Sequence, residues 1–128
     1  MKFAALGRTQ WLYDAIRLCA DRGHRVVLIG TAPAAPEYRV TEADFIRLAR
    51  ELGCPSWCDA AINRASCAAM AKASGAEVAI SVNWPVRIGE PMLRLFPHGI
   101  INAHAGDLPR FQGNAAPNWA ILAGERRA

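Results

Sequence analysis

Lysine is scarce in this sequence, and the basic residues form no cluster. Lys2 and Lys72 are the only lysines among 15 basic residues, and the formal net charge of +4 is dispersed over 128 residues. A dispersed charge offers no continuous track of cations to a phosphate backbone. The charge is therefore compatible with an anionic small molecule as the ligand. It argues against nucleic acid as a partner but does not exclude tRNA.

Long apolar runs and paired metal ligands are also missing. Residues 1–6, which are apolar except for Lys2, are followed by Gly7 and Arg8. This segment is far shorter than the roughly 18 uncharged residues of a membrane-spanning helix. Cys54 and Cys58 have no second Cys/His pair that would complete a zinc site. These absences predict a cytoplasmic protein with reduced thiols, without a membrane anchor and without a metal centre.

What is present is the composition of one ordered domain. Hydrophobic residues make up 52% of the chain and charged residues 20%, which is the balance of a folded domain rather than of a disordered segment. A length of 128 residues suits a single domain, and no internal repeat is visible. The sequence does not indicate an oligomeric state.

Short apolar segments alternate along the chain with segments of helical periodicity, and most of them end at glycine or proline. The predicted strands cover residues 2–6, 25–30, 77–82 and 99–102, with an edge strand at 55–58; the predicted helices cover 11–21, 41–52, 62–74, 88–96 and 119–122; residues 31–40 and 104–117 are predicted loops. Thr41 and Asp44 have the spacing of a capping box. The alternation predicts an α/β fold, an open and mostly parallel Rossmann-like sheet with helices on both faces.

Open parallel sheets bind ligands beyond the carboxyl ends of their strands, where the strand order reverses. Three polar or glycine-bearing segments directly follow predicted strands: residues 7–9, 83–85 and 102–104. Residues two apart in an extended chain face the same side, so Asn102 and His104 are predicted to point into one cleft. Such a pair could stabilise an oxyanion. The alternative is a strand-end asparagine that caps a turn beside a surface histidine.

Residues 101–122, INAHAGDLPRFQGNAAPNWAIL, resemble the signature of the folate-dependent formyltransferases. The shared pattern is Asn-x-His, Leu-Pro, a basic residue, an aromatic residue and glycine, then proline before a helix that contains Trp-Ala. The rest of the chain resembles the family more loosely, through the opening strand with Gly7 and through residues 23–27. Because about twenty consecutive residues match, the motif is specific.

The resemblance implies that a formyl group passes from the co-substrate 10-formyltetrahydrofolate to a primary amine. Asn102 would donate a hydrogen bond to the oxyanion, and His104 would stabilise it and help to move the proton of the amine. The family forms its folate pocket partly from the loop after the fourth strand. Here that loop contains Asn83, Trp84, Pro85, Arg87 and Ile88, and Trp84 could equally be a core residue.

The acceptor is predicted to be a small phosphorylated amine, and an amino-sugar nucleotide is preferred to methionyl-tRNA. Gly7 and Arg8 follow the first strand, where helix N–H groups and a cation suit a phosphate. Arg110 and Gly113 lie in the signature loop, and Arg110 could be a second anionic contact. The residues after Gly7 also lack the Gly-Thr-Pro sequence that is common in the tRNA enzyme.

The sequence departs from the family pattern at three points. Asp107 replaces a usual leucine and Gln112 a usual arginine. The family's third catalytic residue is an aspartate that follows the histidine at a greater distance than residues 105–128 provide. Residues 1–128 are therefore predicted to be an incomplete N-terminal catalytic domain, and the chain alone is expected to be weakly active or inactive.

Two other functions compete with formyl transfer. A nucleotide-binding oxidoreductase would need three glycines after the first strand, and only Gly7 is present. A non-catalytic folate- or nucleotide-binding module would keep the pocket without the aspartate. An aspartate downstream of the signature would favour the enzyme, and its absence would favour the binding module.

Overall fold

The structure of the protein is a computed structural model that describes residues 1–113 and 115–126. Its strands are β1 (Lys2–Gly7), β2 (Arg25–Thr31), β3 (Ser56–Cys58), β4 (Val78–Val82) and β5 (Ile100–Ala103). Its helices are α1 (Gln10–Asp21), α2 (Glu42–Glu51), α3 (Ala65–Ser74), α4 (Glu90–Leu93) and α5 (Ala116–Leu122). Strands and helices alternate as the sequence predicts.

The five strands form one parallel sheet in the order β3-β2-β1-β4-β5. The chain runs outwards from β1 through β2 and β3, and then crosses to the other side of β1 for β4 and β5. The strand order therefore reverses between β1 and β4, and the carboxyl ends of all five strands meet at one edge. The predicted Rossmann-like α/β fold is confirmed.

The core has two layers because alternate residues of a strand face opposite sides of the sheet. Phe3 and Ala5 of β1 pack in one cluster with buried residues of α1 and α2, whereas Ala4 and Leu6 pack in a second cluster with buried residues of α3 and α4. Residues 3–7 are all buried, as expected for a central strand that is covered on both faces. Helices on both faces are thus confirmed as well.

Three predicted helices differ from the observed ones by two or more residues at an end. α3 begins at Ala65 rather than at residue 62. Ile62 is fully buried in the second cluster, and the side chain of Asn63 forms hydrogen bonds with the loop after β4. α4 spans four residues, Glu90–Leu93, and not residues 88–96. Pro117, assigned above to a loop, lies in the first turn of α5, where the missing N–H of proline is not needed.

The predicted capping residues meet at the start of α2. Asp44 Oδ2 accepts hydrogen bonds from the Thr41 backbone N–H at 2.8 Å and from the Thr41 hydroxyl at 2.9 Å. Arg47 forms an ion pair with the same carboxylate. These contacts hold the pKa of Asp44 below its usual value. The largest contribution comes from the hydrogen bond of the Thr41 backbone, followed by that of the Thr41 hydroxyl and then by the hydrogen bond from Arg47.

This contact predicts a pH-dependent effect of Asp44→Asn. Because folding lowers the pKa of Asp44, its stabilising contribution is complete above the unfolded pKa of about 3.9 and is lost as pH falls through the lower folded value. We expect the variant to melt at a lower temperature than wild type at about pH 6, and the difference to shrink towards about pH 3. Thermal unfolding as a function of pH checks this, and a pH-independent difference would contradict it.

Candidate active site

A cavity of about 760 Å³ opens at the carboxyl edge of the sheet, where the strand order reverses. Its walls come from the ends of β4 and β5, from the segments that follow these strands, and from the first residues of α1 and α5. The lining includes Ser81, Val82, Ile100, Ala103 and Ala116. This is the edge at which an open parallel sheet is expected to bind its ligand.

Asn102 and His104 both line this cavity. Asn102 lies opposite Ser81 in the β4–β5 ladder, and His104 is the first residue after β5. Ile100 lines the cavity as well, as expected when residues two apart share one face. The structure therefore brings together the two residues that the sequence predicts to be catalytic, with Asn102 exposed and His104 half-buried.

The ring of His104 is held by a backbone carbonyl. His104 Nε2 lies 2.7 Å from the carbonyl oxygen of Phe111, and since a carbonyl oxygen only accepts, Nε2 must carry the hydrogen. Phe111 is fixed in turn, because its N–H donates to the Asp107 carbonyl at 3.0 Å. This arrangement leaves Nδ1 of a neutral His104 as the ring nitrogen that can accept a proton.

Gly106 permits this contact. A Cβ at this position would lie 2.4 Å from the Phe111 carbonyl oxygen, 2.7 Å from Ala116 Cβ and 2.9 Å from His104 Nε2. No larger residue fits between the loop and the start of α5 without moving one of these groups. Gly106 and Phe111 are positioning residues that the sequence reasoning missed, although a glycine inside the signature was a usable signal.

Gly106→Ala is therefore expected to displace the ring of His104 while leaving the unfolding transition cooperative. The added methyl group separates His104 from the Phe111 carbonyl, whereas the two core clusters are untouched. The NMR signals of the His104 ring and thermal unfolding measure the two effects. Gly113, in the same loop, has nothing within 4 Å of its Cβ position but a positive φ of +88°, so Gly113→Ala measures conformational strain without a clash. Unchanged signals of the His104 ring in Gly106→Ala would contradict the role of Gly106 in the His104–Phe111 contact.

The loop after β4 forms one wall of the cavity. Asn83, Trp84 and Ile88 line it, while Trp84 and Ile88 also pack against the second core cluster. Asn83 has a left-handed backbone conformation (φ 54°), and its Nδ2 donates to the Tyr38 hydroxyl. Trp84 thus serves both as a core residue and as a cavity wall, and its Nε1 is buried without a partner in the part of the chain that the structure describes.

The far end of this loop is held by the side chain of Asn63. Asn63 Nδ2 donates to the Arg87 carbonyl at 2.9 Å, and Asn63 Oδ1 accepts from the Gly89 N–H at 2.7 Å. The two groups of a trans peptide point in opposite directions. The N–H and C=O of Ile88 therefore point away from Asn63, to the opposite side of the loop.

The other predicted site residues differ in whether they line the cavity. Pro85 and Arg87 belong to the loop but do not line the cavity, whereas Gly113 does. Gly7 is buried against β4, where a Cβ would lie 2.2 Å from the Val82 carbonyl oxygen. Gly7 thus allows β1 and β4 to pack closely together at this point.

The two arginines predicted to bind a phosphate have protein partners. Arg8 donates from Nη1 to the Pro33 carbonyl at 3.1 Å and lies over the Tyr38 ring, 5.6 Å from its centroid. Arg110 forms an ion pair with Glu125 and lies 4.9 Å from the Phe111 ring centroid. Neither arginine lines the cavity.

The described residues contain neither a cluster of metal ligands nor a membrane-spanning helix. Within residues 1–113 and 115–126, no group of three or more His, Cys, Asp and Glu side chains could hold a metal ion. No helix in that part of the chain has the length and apolar character needed to cross a membrane.

The cysteine thiols are shifted towards their protonated form. Burial is the main cause that raises the pKa of the Cys54, Cys58 and Cys67 thiols, which keeps them protonated at neutral pH.

Comparison with known proteins gives the family. The sequence model described as "Formyl transferase" matches residues 1–128. The chain belongs to the formyl transferase family. Among the curated members, this chain is 29% identical over 129 residues to the methionyl-tRNA formyltransferase of Anaeromyxobacter dehalogenans (strain 2CP-1 / ATCC BAA-258), with 98% of this chain and 41% of the relative covered. It is 30% identical over 132 residues to that of Thermus thermophilus, with 98% and 42% covered.

Solved structures share the fold of this chain. Glycinamide ribonucleotide transformylase 1 from Geobacillus kaustophilus superposes with a TM-score of 0.69 at 22% identity, covering 96% of this chain and 67% of that one. Phosphoribosylglycinamide formyltransferase from Bacillus halodurans gives a TM-score of 0.72 at 17% identity, covering 96% and 66%. At these identities the structures establish the fold alone. The chain spans 41–42% of the length of the two curated relatives.

Proposed function

We propose that the protein carrying these residues transfers a formyl group from 10-formyltetrahydrofolate to a primary amine. The observation that carries this proposal is the meeting of Asn102 and His104 on one cavity at the carboxyl edge of the sheet. Membership in the formyl transferase family agrees with an acyl transfer at this place.

The chemistry needs a hydrogen-bond donor for an oxyanion and an acceptor for a proton. The amine nitrogen forms a bond to the formyl carbon, and the formyl oxygen becomes an oxyanion to which Asn102 Nδ2 donates. His104 Nδ1 accepts a proton from the attacking amine, because Nε2 is bonded to the Phe111 carbonyl. The bond from the formyl carbon to folate N10 then breaks, and the proton passes from Nδ1 to N10. The products are the formamide and tetrahydrofolate.

The donor would bind against the loop after β4. Trp84, Val86 and Ile88 provide an apolar wall for the flat pterin ring. Backbone groups of the same loop add polarity, because the N–H and C=O of Ile88 have no backbone partner within residues 1–113 and 115–126. An adjacent donor and acceptor match the amide-like edge of a pterin.

Two acceptors follow from different observations. The names of the curated relatives favour methionyl-tRNA. The scarcity of lysine and the dispersed charge favour a small amine such as an amino-sugar nucleotide. The phosphate contact predicted at Arg110 loses its support, because Glu125 already pairs with that arginine. The acceptor best supported is therefore methionyl-tRNA, with an amino-sugar nucleotide as the second candidate.

A competition assay tests both the reaction and the acceptor. The natural protein that carries these residues is given 10-formyltetrahydrofolate labelled in the formyl group, with methionyl-tRNA and a panel of amino-sugar nucleotides, at several salt concentrations. Formylated methionyl-tRNA, formed with an efficiency that falls steeply with salt, is the expected result, since that slope reports released counterions. Formylation of a sugar nucleotide would move the assignment to the second acceptor. Donor binding without transfer to any amine would indicate the non-catalytic binding module.

A further inference from the structure

We propose that Asn63 is a positioning residue for the formyl donor, an inference that rests on the proposed function. Asn63 precedes α3 and does not line the cavity. Its side chain nevertheless bridges residues of the loop after β4, 24 and 26 positions further along the chain. Through that loop it determines where the donor-binding backbone of Ile88 lies.

The two hydrogen bonds of Asn63 bracket Ile88. The Arg87 carbonyl requires a donor and the Gly89 N–H requires an acceptor, so a carboxamide in one orientation satisfies both. With the peptide groups on either side of Ile88 held in this way, the direction of its own N–H and C=O is set. An aspartate at the same place would keep the acceptor and lose the donor.

Gly89 is the residue that lets the loop after β4 approach the side chain of Asn63. A Cβ at Gly89 would lie 2.9 Å from Asn63 Oδ1, so a side chain there would push the bridge apart. The loop of residues 83–89 contains no helix or strand, and side chains fix it at both ends: Tyr38 accepts from Asn83 at the first, and Asn63 holds the second. Such a loop is ordered before a ligand arrives.

A local structural role for Asn63 does not account for these contacts. The N-cap residue of α3 is Arg64, with extended backbone dihedrals, and both polar groups of the Asn63 side chain are directed to the loop rather than to the helix. Loss of the bridge leaves the loop to be ordered when the donor binds. That ordering lowers affinity for the donor and leaves the bonds made by Asn102 and His104 in place.

Variants of the natural protein test this role, with a stable deaza analogue of 10-formyltetrahydrofolate as the probe. Asn63→Ala removes both bonds, and Asn63→Asp removes only the donor. The dissociation constant of the analogue is measured by titration calorimetry, KM and kcat by transfer assay, and the exchange of the Gly89 amide hydrogen by NMR. Ser74→Ala is the matched control, because Ser74 Oγ donates to the Ala71 carbonyl at 2.6 Å at the opposite end of α3.

We expect both Asn63 variants to bind the analogue about tenfold more weakly, as the loss of roughly 1.4 kcal/mol of positioning would produce, with KM for the donor raised and kcat little changed. Gly89 exchanges faster in Asn63→Ala and keeps its protection in Asn63→Asp. Ser74→Ala lowers the melting temperature without changing the dissociation constant. Unchanged affinity in both Asn63 variants, beside a wild type that binds, overturns this inference alone. A wild type that does not bind the analogue overturns the proposed function together with it.

Discussion

Replacing Asn102 or His104 with alanine is expected to slow formyl transfer by about 100-fold or more, the usual cost of removing one group that stabilises an oxyanion. Asn102 is exposed at the end of β5 and His104 is half-buried beyond it, so neither belongs to the two core clusters. The free energy of unfolding should therefore change little. Transfer kinetics and denaturant unfolding of the same preparations measure the two effects separately.

Two controls distinguish chemistry from packing in this experiment. Asn102→Asp keeps the shape of the side chain and loses its donor, so it should be as slow as the alanine variant. His24→Ala removes an exposed histidine at the opposite end of α1 and should leave the rate unchanged. Losses of about 2–5 kcal/mol in unfolding free energy, as from a core cavity, would show that Asn102 and His104 are structural residues instead.

Gly7→Ala is expected to have the largest effect on stability. The added Cβ would lie 2.2 Å from the Val82 carbonyl oxygen and 2.8 Å from Leu12 Cδ2, so β1 would have to move away from β4 or from α1. The first neighbour is backbone in the central ladder, which cannot rotate aside. We expect a loss at or above the upper end of the roughly 1–3 kcal/mol that overpacking usually costs.

A second glycine provides the comparison for this substitution. Gly23 has a positive φ of +83° but open space around its Cβ position, so Gly23→Ala reports conformational strain without a clash and should cost only about 1 kcal/mol. Denaturant unfolding of both variants measures the difference. Equal losses would contradict the close approach of β1 and β4 at Gly7.

The elements of the fold could be predicted from the sequence because their signals are local. Buried parallel strands appear as short apolar runs, and the glycine at position 75, with its left-handed conformation, ends α3 as expected. The order of the strands in the sheet could not be predicted in this way, because it depends on which strands pair after the chain crosses over β1. No local pattern contains that information, although the general rule for open sheets did identify the edge that holds the cavity.

The candidate site could be predicted only in part, and the reason is distance along the chain. Asn102 and His104 are two residues apart and share a strand end, so spacing alone places them together. Tyr38 and Asn63 reach the loop after β4 from 45 and 24–26 positions away, and nothing near either residue indicates this. The ion pair of Arg110 was missed for the same reason, since Glu125 contacts this arginine only after α5 has folded back.

The location of the donor is the most direct test of the proposed site. The backbone and side-chain amide resonances of the 15N-labelled chain are recorded while the stable deaza analogue of 10-formyltetrahydrofolate is added. The proposed function predicts that the shifted signals cluster in residues 83–89 and 102–106, with the Asn102 side-chain amide among them. Shifts confined to the smaller cavity at the opposite edge of the sheet, around Arg25, Cys54 and Ser74, or no shifts at all, would contradict it.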